Sequence, residues 1–168
     1  MTYKEDFTFF WDGPFSQWEP SKFTIKGVEY VTAEQYMMHQ KAIFFNDKRI
    51  AKRIMETKSP REQKRLGRLV SNFNPTLWDD VAYDIVLTGN IAKFSQNPHL
   101  LKHLMDTEGT ELVEASPYDT IWGIGLDENN PDAWDKTKWK GRNLLGKVLD
   151  ETRKHLIEKL KNTLELND

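Results

Sequence analysis

The stretch Val31–Ala42, VTAEQYMMHQKA, constrains this chain most, because it carries a helix start signal and a definite inward face. Thr32 suits an N-cap, and Gln35, three residues on, is placed to reach back to it, the capping-box pattern. Glu34 then falls in the first turn, where backbone N–H groups lack helical partners and the helix dipole is positive. Helical spacing from Glu34 puts Met37, Met38 and Lys41 on roughly the same side, with Tyr36, Gln40 and Ile43 or Phe44 in neighbouring stripes. One acid and one base thus share an otherwise apolar face. Each also has a plain structural reading. A first-turn glutamate suits any helix dipole, and a lysine among apolar residues commonly snorkels to water.

The 168 residues lead us to expect a single domain over 1–168, with enough chain to bury a substantial core. Aromatic residues at 12% supply bulky core material, which excludes a disordered chain. Six tryptophans are many for this length, and some are expected to line a cleft. Cysteine is absent, which excludes disulfides, thiolate zinc sites and cysteine nucleophiles and fits a reducing cytosol. The N-terminus MTYKEDFTFF has no apolar signal region, and no stretch approaches the length of a membrane span, so a cytoplasmic protein with no membrane partner is expected.

The net charge of −2 is unevenly spread. From Asp47 to Arg68, nine basic residues face three acidic ones, a local +6 that leaves −8 for the remainder. Such a segment is either a solvated helical face or a positive rim for phosphates or nucleic acid.

Residues 7 to 31 read as short strands of a small antiparallel sheet, with Lys26-Gly27 at a hairpin turn. After the opening helix, Asn46-Asp47 begins a second through about Lys58. Ser59-Pro60 starts a third, running to about Val70 and containing Gly67, which either admits a close neighbour or marks the helix end. Asn74-Pro75 reads as a breaker, with Thr76 capping a long helix whose stripe includes Trp78, Ala82, Val86 and Phe94. Asn97-Pro98 opens a further helix to about Met105, ELVEAS reads as a strand, and Leu144 to about Leu166 as an amphipathic helix. Between them, 116–143 is long, glycine-bearing and aperiodic, which marks it as a functional loop contributing little to a core. No nucleotide-binding glycine motif, P-loop or GxSxG is present. His99 and His103 have metal-ligand spacing but no glutamate of the HExxH kind, so neither metal nor cofactor is expected.

In this order, the blocks SQWEPSKFTIKGVEYVTAEQYMMHQKA, KRLGR (64–68), Trp78 before its helix, KFSQNPHLLKHLMDT, LVEASPYDTIWGIG and GRNLLGKVLDETR resemble the NADAR, or YbiA-like, family from about Phe9 to Leu156. The resemblance implies a mainly α (α+β) helical domain with a small N-terminal antiparallel β-sheet. It also implies kinship with N-glycosidases of riboflavin biosynthesis and with enzymes that remove ADP-ribose from guanine. Two departures stand out. The family's Asn-Phe after Ser16 is Gln17-Trp18, and the histidine common after the glutamate is Gln35.

The implied reaction cleaves a C–N bond at a ribose anomeric carbon. It needs a negative group near the developing oxocarbenium ion, a proton for the leaving nitrogen and a dry pocket for the sugar. Glu34 is the candidate for the first, as electrostatic stabiliser or base before general acid, since a helix N-terminus favours its ionised form. Lys41, if buried with a depressed pKa, can attack the ribosyl carbon and form a Schiff base with the opened sugar, or can simply pair with Glu34. Asp119 could orient a ribose hydroxyl or act as a second carboxylate, or only form a turn. Expected substrate contacts are Ser16, Gln17 and Trp18 in the opening block, Arg68 and Trp78, and Tyr118, Trp122, Gly123 and Gly125 in the long loop. Asn143 joins them as a ligand contact or an ordinary cap. The expected partner is a phosphorylated ribosyl or ADP-ribosyl substrate, including ADP-ribosylated nucleic acid, for a monomer or small homo-oligomer. The rival readings are a non-catalytic binder of ADP-ribose or NAD-derived nucleotides, and a structural interaction protein.

Overall fold

The computed structural model describes residues 6–166. Its elements are β1 Phe7–Phe10, β2 Phe23–Ile25, β3 Val28–Tyr30, α1 Ala33–Phe44, α2 Lys48–Met55, α3 Pro60–Gly67, α4 Pro75–Gln96, α5 Pro98–Met105, β4 Glu111–Glu114 and α6 Leu144–Leu166, with two 3₁₀ turns, Pro131–Trp134 and Lys136–Lys138. They fall into two compact units. One runs from Gln17 to Pro98, and the other joins the residues up to Ser16 with those from His99 onward. Mainly helical with small sheets, this is the expected fold class. Among the described residues, no helix is long and apolar enough to cross a membrane.

In the Gln17–Pro98 unit, β2 and β3 form the antiparallel hairpin, in register Phe23↔Tyr30 and Ile25↔Val28. Lys26 (φ 51°) and Gly27 (φ 81°) both take the left-handed conformation that a tight two-residue hairpin turn needs. The hairpin's inner face meets α1 and α4 in a core of Phe23, Tyr30, Tyr36 and Ala92, flanked by Ile25, Met55 and Ile85. Burying Phe23 alone contributes roughly 2–3 kcal/mol. Gly89 of α4 makes room for this core, since a Cβ there would lie 2.7 Å from the Tyr36 ring.

Three helix boundaries differ from expectation. α2 and α3 each end about a turn early, at Met55 and Gly67. Asn74, not Thr76, caps α4: its Oδ1 accepts from the N–H groups of Thr76 (3.0 Å) and Leu77 (3.2 Å). Asn-Pro therefore opens this helix with Pro75 in its first turn, where the missing N–H costs nothing. Gly67 marks the helix end and also admits a neighbour. That neighbour is protein, for a Cβ there would lie 2.0 Å from Met38 Sδ.

In the second unit, β1 pairs in parallel with β4 from Phe7↔Glu111 to Phe10↔Glu114, so β1 is not a strand of the N-terminal hairpin. Pairing across a hundred residues leaves no local signature, so the alternation of apolar residues marks the strand but not its partner. The long loop 116–143 also corrects its reading. Ile124, Leu126 and Ala133 are buried with Val113, against Phe7, Phe9 and Trp139. The loop is aperiodic because turns and 3₁₀ segments supply its buried residues, yet it builds the core of this unit. α6 packs along β4, where Asp150 Oδ1 accepts from Leu112 N–H at 3.0 Å. Arg153 donates to the carbonyls of Thr107 (2.9 Å) and Thr110 (2.7 Å).

Candidate active site

The start of α1 is held by a buried polar network. Thr32, extended at φ −144° and ψ 156°, accepts from Gln35 N–H at 3.0 Å, while Gln35 Oε1 accepts from Val31 N–H at 2.9 Å. This is the capping box expected from the sequence, with the return bond falling one residue before the cap. The Gln35 amide donates to the carbonyls of Ile54 and Thr57, both at 3.1 Å, and Thr32 Oγ1 donates to Gln63 Oε1 at 2.6 Å. Gln35 is thus engaged in tying α1 to the end of α2. The network fixes the first turn in which Glu34 sits.

Glu34 is 7% exposed, at the positive end of α1, and its N–H donates to the Gln17 carbonyl at 3.0 Å. Lys41 lies two turns further along the same helix and is half-buried. Burial holds its ammonium pKa below the ordinary lysine value, the charge of Glu34 opposes that shift, and the charge of Arg68 adds to it. The acid and base of the VTAEQYMMHQKA stripe and the guanidinium at the end of α3 therefore share one electrostatic neighbourhood. Lys41 Nζ stands 4.3 Å from the centroid of the Phe73 ring.

Phe73 belongs to an aromatic group of which the sequence reading named Phe44 and Trp78 but not Phe45 or Phe73. Phe45 packs on Phe73 (5.4 Å between centroids) and on Trp78 (6.5 Å), and Phe44 on Phe45 (4.9 Å) and Trp78 (6.4 Å). Trp78 is buried, while Phe44 and Phe73 keep about two fifths of their surface exposed at 43% and 42%. The available signal was the pair Phe44-Phe45 at the C-terminal end of the lysine helix. Asp47 positions this wall. It caps α2 by accepting from Ile50 N–H at 3.1 Å, and its other oxygen accepts from Ser71 N–H and Oγ, both at 2.9 Å, two residues before Phe73.

Gln17 joins the same unit. Its carbonyl receives the Glu34 N–H, and its side-chain Oε1 accepts from Asn90 Nδ2 at 3.0 Å. Trp18 beside it is partly exposed. Glu34, Lys41, Gln17, Trp18, Arg68 and Trp78 are thus gathered in one compact unit, with Arg68 on its surface.

The remaining candidates belong to the other unit. Ser16 closes a turn, donating its N–H to the Gly13 carbonyl at 3.0 Å. Asp119 Oδ1 accepts from the N–H groups of Ile121 and Trp122, both at 2.9 Å, so one of its oxygens shapes the turn that holds the half-buried Trp122. Tyr118 is 85% exposed, with its ring 6.0 Å from that of Trp11. Gly123 is needed for close packing: a Cβ there would meet the Asp119 and Glu114 carbonyls at 3.0 Å. Gly125 has φ 71°, in the left-handed region.

Asn143, expected as a ligand contact or an ordinary cap, has both ends of its carboxamide engaged by the backbone of β4. It is fully buried at φ 52°, its Oδ1 accepts from Glu114 N–H at 2.9 Å, and its Nδ2 donates to the Leu112 carbonyl at 3.1 Å. The carboxamide clamps both neighbours of Val113 on β4, a structural task that its place in the sequence does not announce.

This arrangement matches known proteins along most of the chain. The NADAR domain matches residues 9–157. The N-glycosidase R617 of Acanthamoeba polyphaga mimivirus is 51% identical over 144 residues, which cover 83% of this chain and 85% of that protein. The chloroplastic riboflavin biosynthesis protein PYRR of Zea mays is 28% identical over 94% of this chain, which spans only 26% of that protein. The NMR structure of the E. coli protein YbiA superimposes with a TM-score of 0.76 at 29% identity, covering 95% of this chain and 90% of YbiA. The chain belongs to the NADAR domain family, and it is a hydrolase of the N-glycosidase class.

Proposed function

We propose that the protein hydrolyses the C–N bond between a ribose anomeric carbon and a nitrogen in a phosphorylated ribosyl or ADP-ribosyl substrate. The two substrate forms are a phosphoribosylamino-pyrimidine of the riboflavin pathway and ADP-ribose on a guanine of nucleic acid. The observation that carries this reading is the pairing of Glu34 and Lys41 on one face of α1, the carboxylate almost fully shielded and the lysine pulled toward its neutral amine by burial. A pure binder of ADP-ribose needs neither group, which disfavours that reading. The family match runs through both compact units, which supports treating the chain as one domain.

In this mechanism the Glu34 carboxylate stabilises positive charge as it develops at C1′. The Lys41 amine attacks C1′, the bond from C1′ to the base nitrogen breaks, and the proton released from the amine goes to that nitrogen. Ring opening leaves an imine between Lys41 and the sugar, and water hydrolyses it to the aldehyde and the free lysine. The partly exposed Phe44 and Phe73, in an aromatic group that also holds the buried Trp78, offer a surface on which the leaving base can stack. Exposed Arg49, Lys52, Lys64, Arg65 and Arg68 on or beside α2 and α3 supply the positive rim suited to a polyanion.

The test incubates the protein with DNA bearing ADP-ribosylated guanine and, separately, with the phosphoribosylamino-pyrimidine, following released base and sugar by mass spectrometry. Release from at least one is expected, and Glu34→Gln should abolish it while leaving ADP-ribose binding in place. Full turnover by Glu34→Gln refutes the mechanism. Tight ADP-ribose binding without release from either substrate would refute this choice of substrates.

A further inference from the structure

Asn90 lies in α4, fully buried, at a position that neither the sequence blocks nor the reaction calls on. Its Nδ2 donates to two oxygens, the Val86 carbonyl one turn back at 2.9 Å and Gln17 Oε1 at 3.0 Å. These two acceptors determine which way the Asn90 carboxamide points, because its oxygen in that place would face two other oxygens. Its Oδ1 is then a buried acceptor with no hydrogen bond among the described residues. Burying an amide oxygen unpaired is destabilising, so packing alone gives no reason for asparagine here over leucine.

The consequence falls on Gln17. With its oxygen held by Asn90, the end of the Gln17 side chain that has no hydrogen bond among the described residues is the Nε2 amide, a pure donor. The backbone of the same residue is fixed to the first turn of α1, through the Gln17 carbonyl and the Glu34 N–H at 3.0 Å. One residue thus carries a donor of set direction and a direct tie to the candidate catalytic carboxylate.

We propose that Asn90 is a positioning residue, which locks the Gln17 carboxamide so that its Nε2 amide donates to a carbonyl or hydroxyl oxygen of the substrate beside Glu34. The inference rests on the proposed glycosidase reading and adds a polarity to it: the group recognised is an acceptor. Without the lock the Gln17 amide rotates, and either end can meet the substrate.

The experiment compares wild type, Asn90→Leu, Gln17→Leu and the double variant in thermal melts and steady-state kinetics on whichever substrate the wild type turns over. In parallel, ADP-ribose is titrated against the side-chain amide signals of ¹⁵N-labelled protein. Asn90→Leu is expected to melt at or above the wild-type temperature, because the unpaired oxygen is gone, while KM rises about 5- to 10-fold with kcat nearly unchanged. A 10-fold change corresponds to about 1.4 kcal/mol. Gln17→Leu should show the same rise, and the double variant no further one, the mark of residues acting as a pair. In wild type the Gln17 amide signals should shift on adding ADP-ribose, and in Asn90→Leu they should not. Unchanged KM in a well-folded Asn90→Leu, or additive effects of the two substitutions, overturns the proposal while leaving the glycosidase reading intact. If wild type turns over neither substrate, that reading fails on its own, and a Gln17 amide that is indifferent to ADP-ribose in wild type overturns the lock as well.

Discussion

Lys93 is a cation enclosed by protein, and replacing it with methionine should stabilise the fold in a pH-dependent way. The side chain has no exposed surface, and burial pulls its pKa from 10.5 to about 7, with Glu19 opposing part of that fall. At about 1.36 kcal/mol per pH unit, keeping the ammonium inside at pH 6 costs roughly 5 kcal/mol. Methionine is of similar length and removes that cost. It also removes the side chain's favourable interactions with the protein, among them the contact between Nζ and the Phe94 ring, 4.9 Å away, worth about 0.5–2 kcal/mol; the attraction to Glu19 is already contained in the pKa of about 7. The net expectation is a gain of about 2–4 kcal/mol at pH 6, within the range seen when buried charges give way to apolar side chains. The sign with pH follows from linkage. Below pH 7 the lysine is charged in both folded and unfolded chains and the full cost is present. Between about 7 and 10.5 the folded chain has lost its proton while the unfolded chain still holds it, so wild type gains stability as pH rises. The advantage of Lys93→Met should therefore shrink from pH 6 to pH 10, as read from urea denaturation of both proteins at each pH. Other titrating groups cancel in that difference. An equal advantage at both pH values, or a loss at pH 6, would refute the reasoning.

Two further outcomes are expected. Gly146→Ala should destabilise by about 2–3 kcal/mol in denaturation, although alanine is the better helix former by about 1 kcal/mol. The added Cβ would lie 2.1 Å from the Leu112 carbonyl and 2.4 Å from Asn143 Nδ2, breaking the clamp on β4. For Lys41, borohydride reduction during turnover should leave a sugar adduct on that residue, located by peptide mass mapping. Its lowered pKa means that activity should rise with pH through a value below 10.5 and then level off, whereas Lys41→Arg should be inactive and untrapped.

Much of the candidate site was legible because it is local. The capping box at Thr32 and Gln35, the first-turn Glu34 and the lysine two turns on all lie within one helix, where spacing alone sets direction. The same holds for the Lys26-Gly27 turn and the bounds of α5 and α6. Asn143 and Gly123 were harder, because their residue types suit a ligand as well as a backbone, and the protein atoms they meet lie far away in the chain or in an aperiodic loop.

What the sequence determined by itself was the mainly helical class, the family and the acid–base face of α1, since each rests on neighbours in the chain. Tertiary structure alone decided that β1 pairs with β4, that the aperiodic loop is core, that Phe73 stands over Lys41 and that Asn90 holds Gln17. Some of those contacts join residues more than a hundred positions apart. Short-range periodicity carries no record of them, and burial sets their energies only once the chain has closed around them.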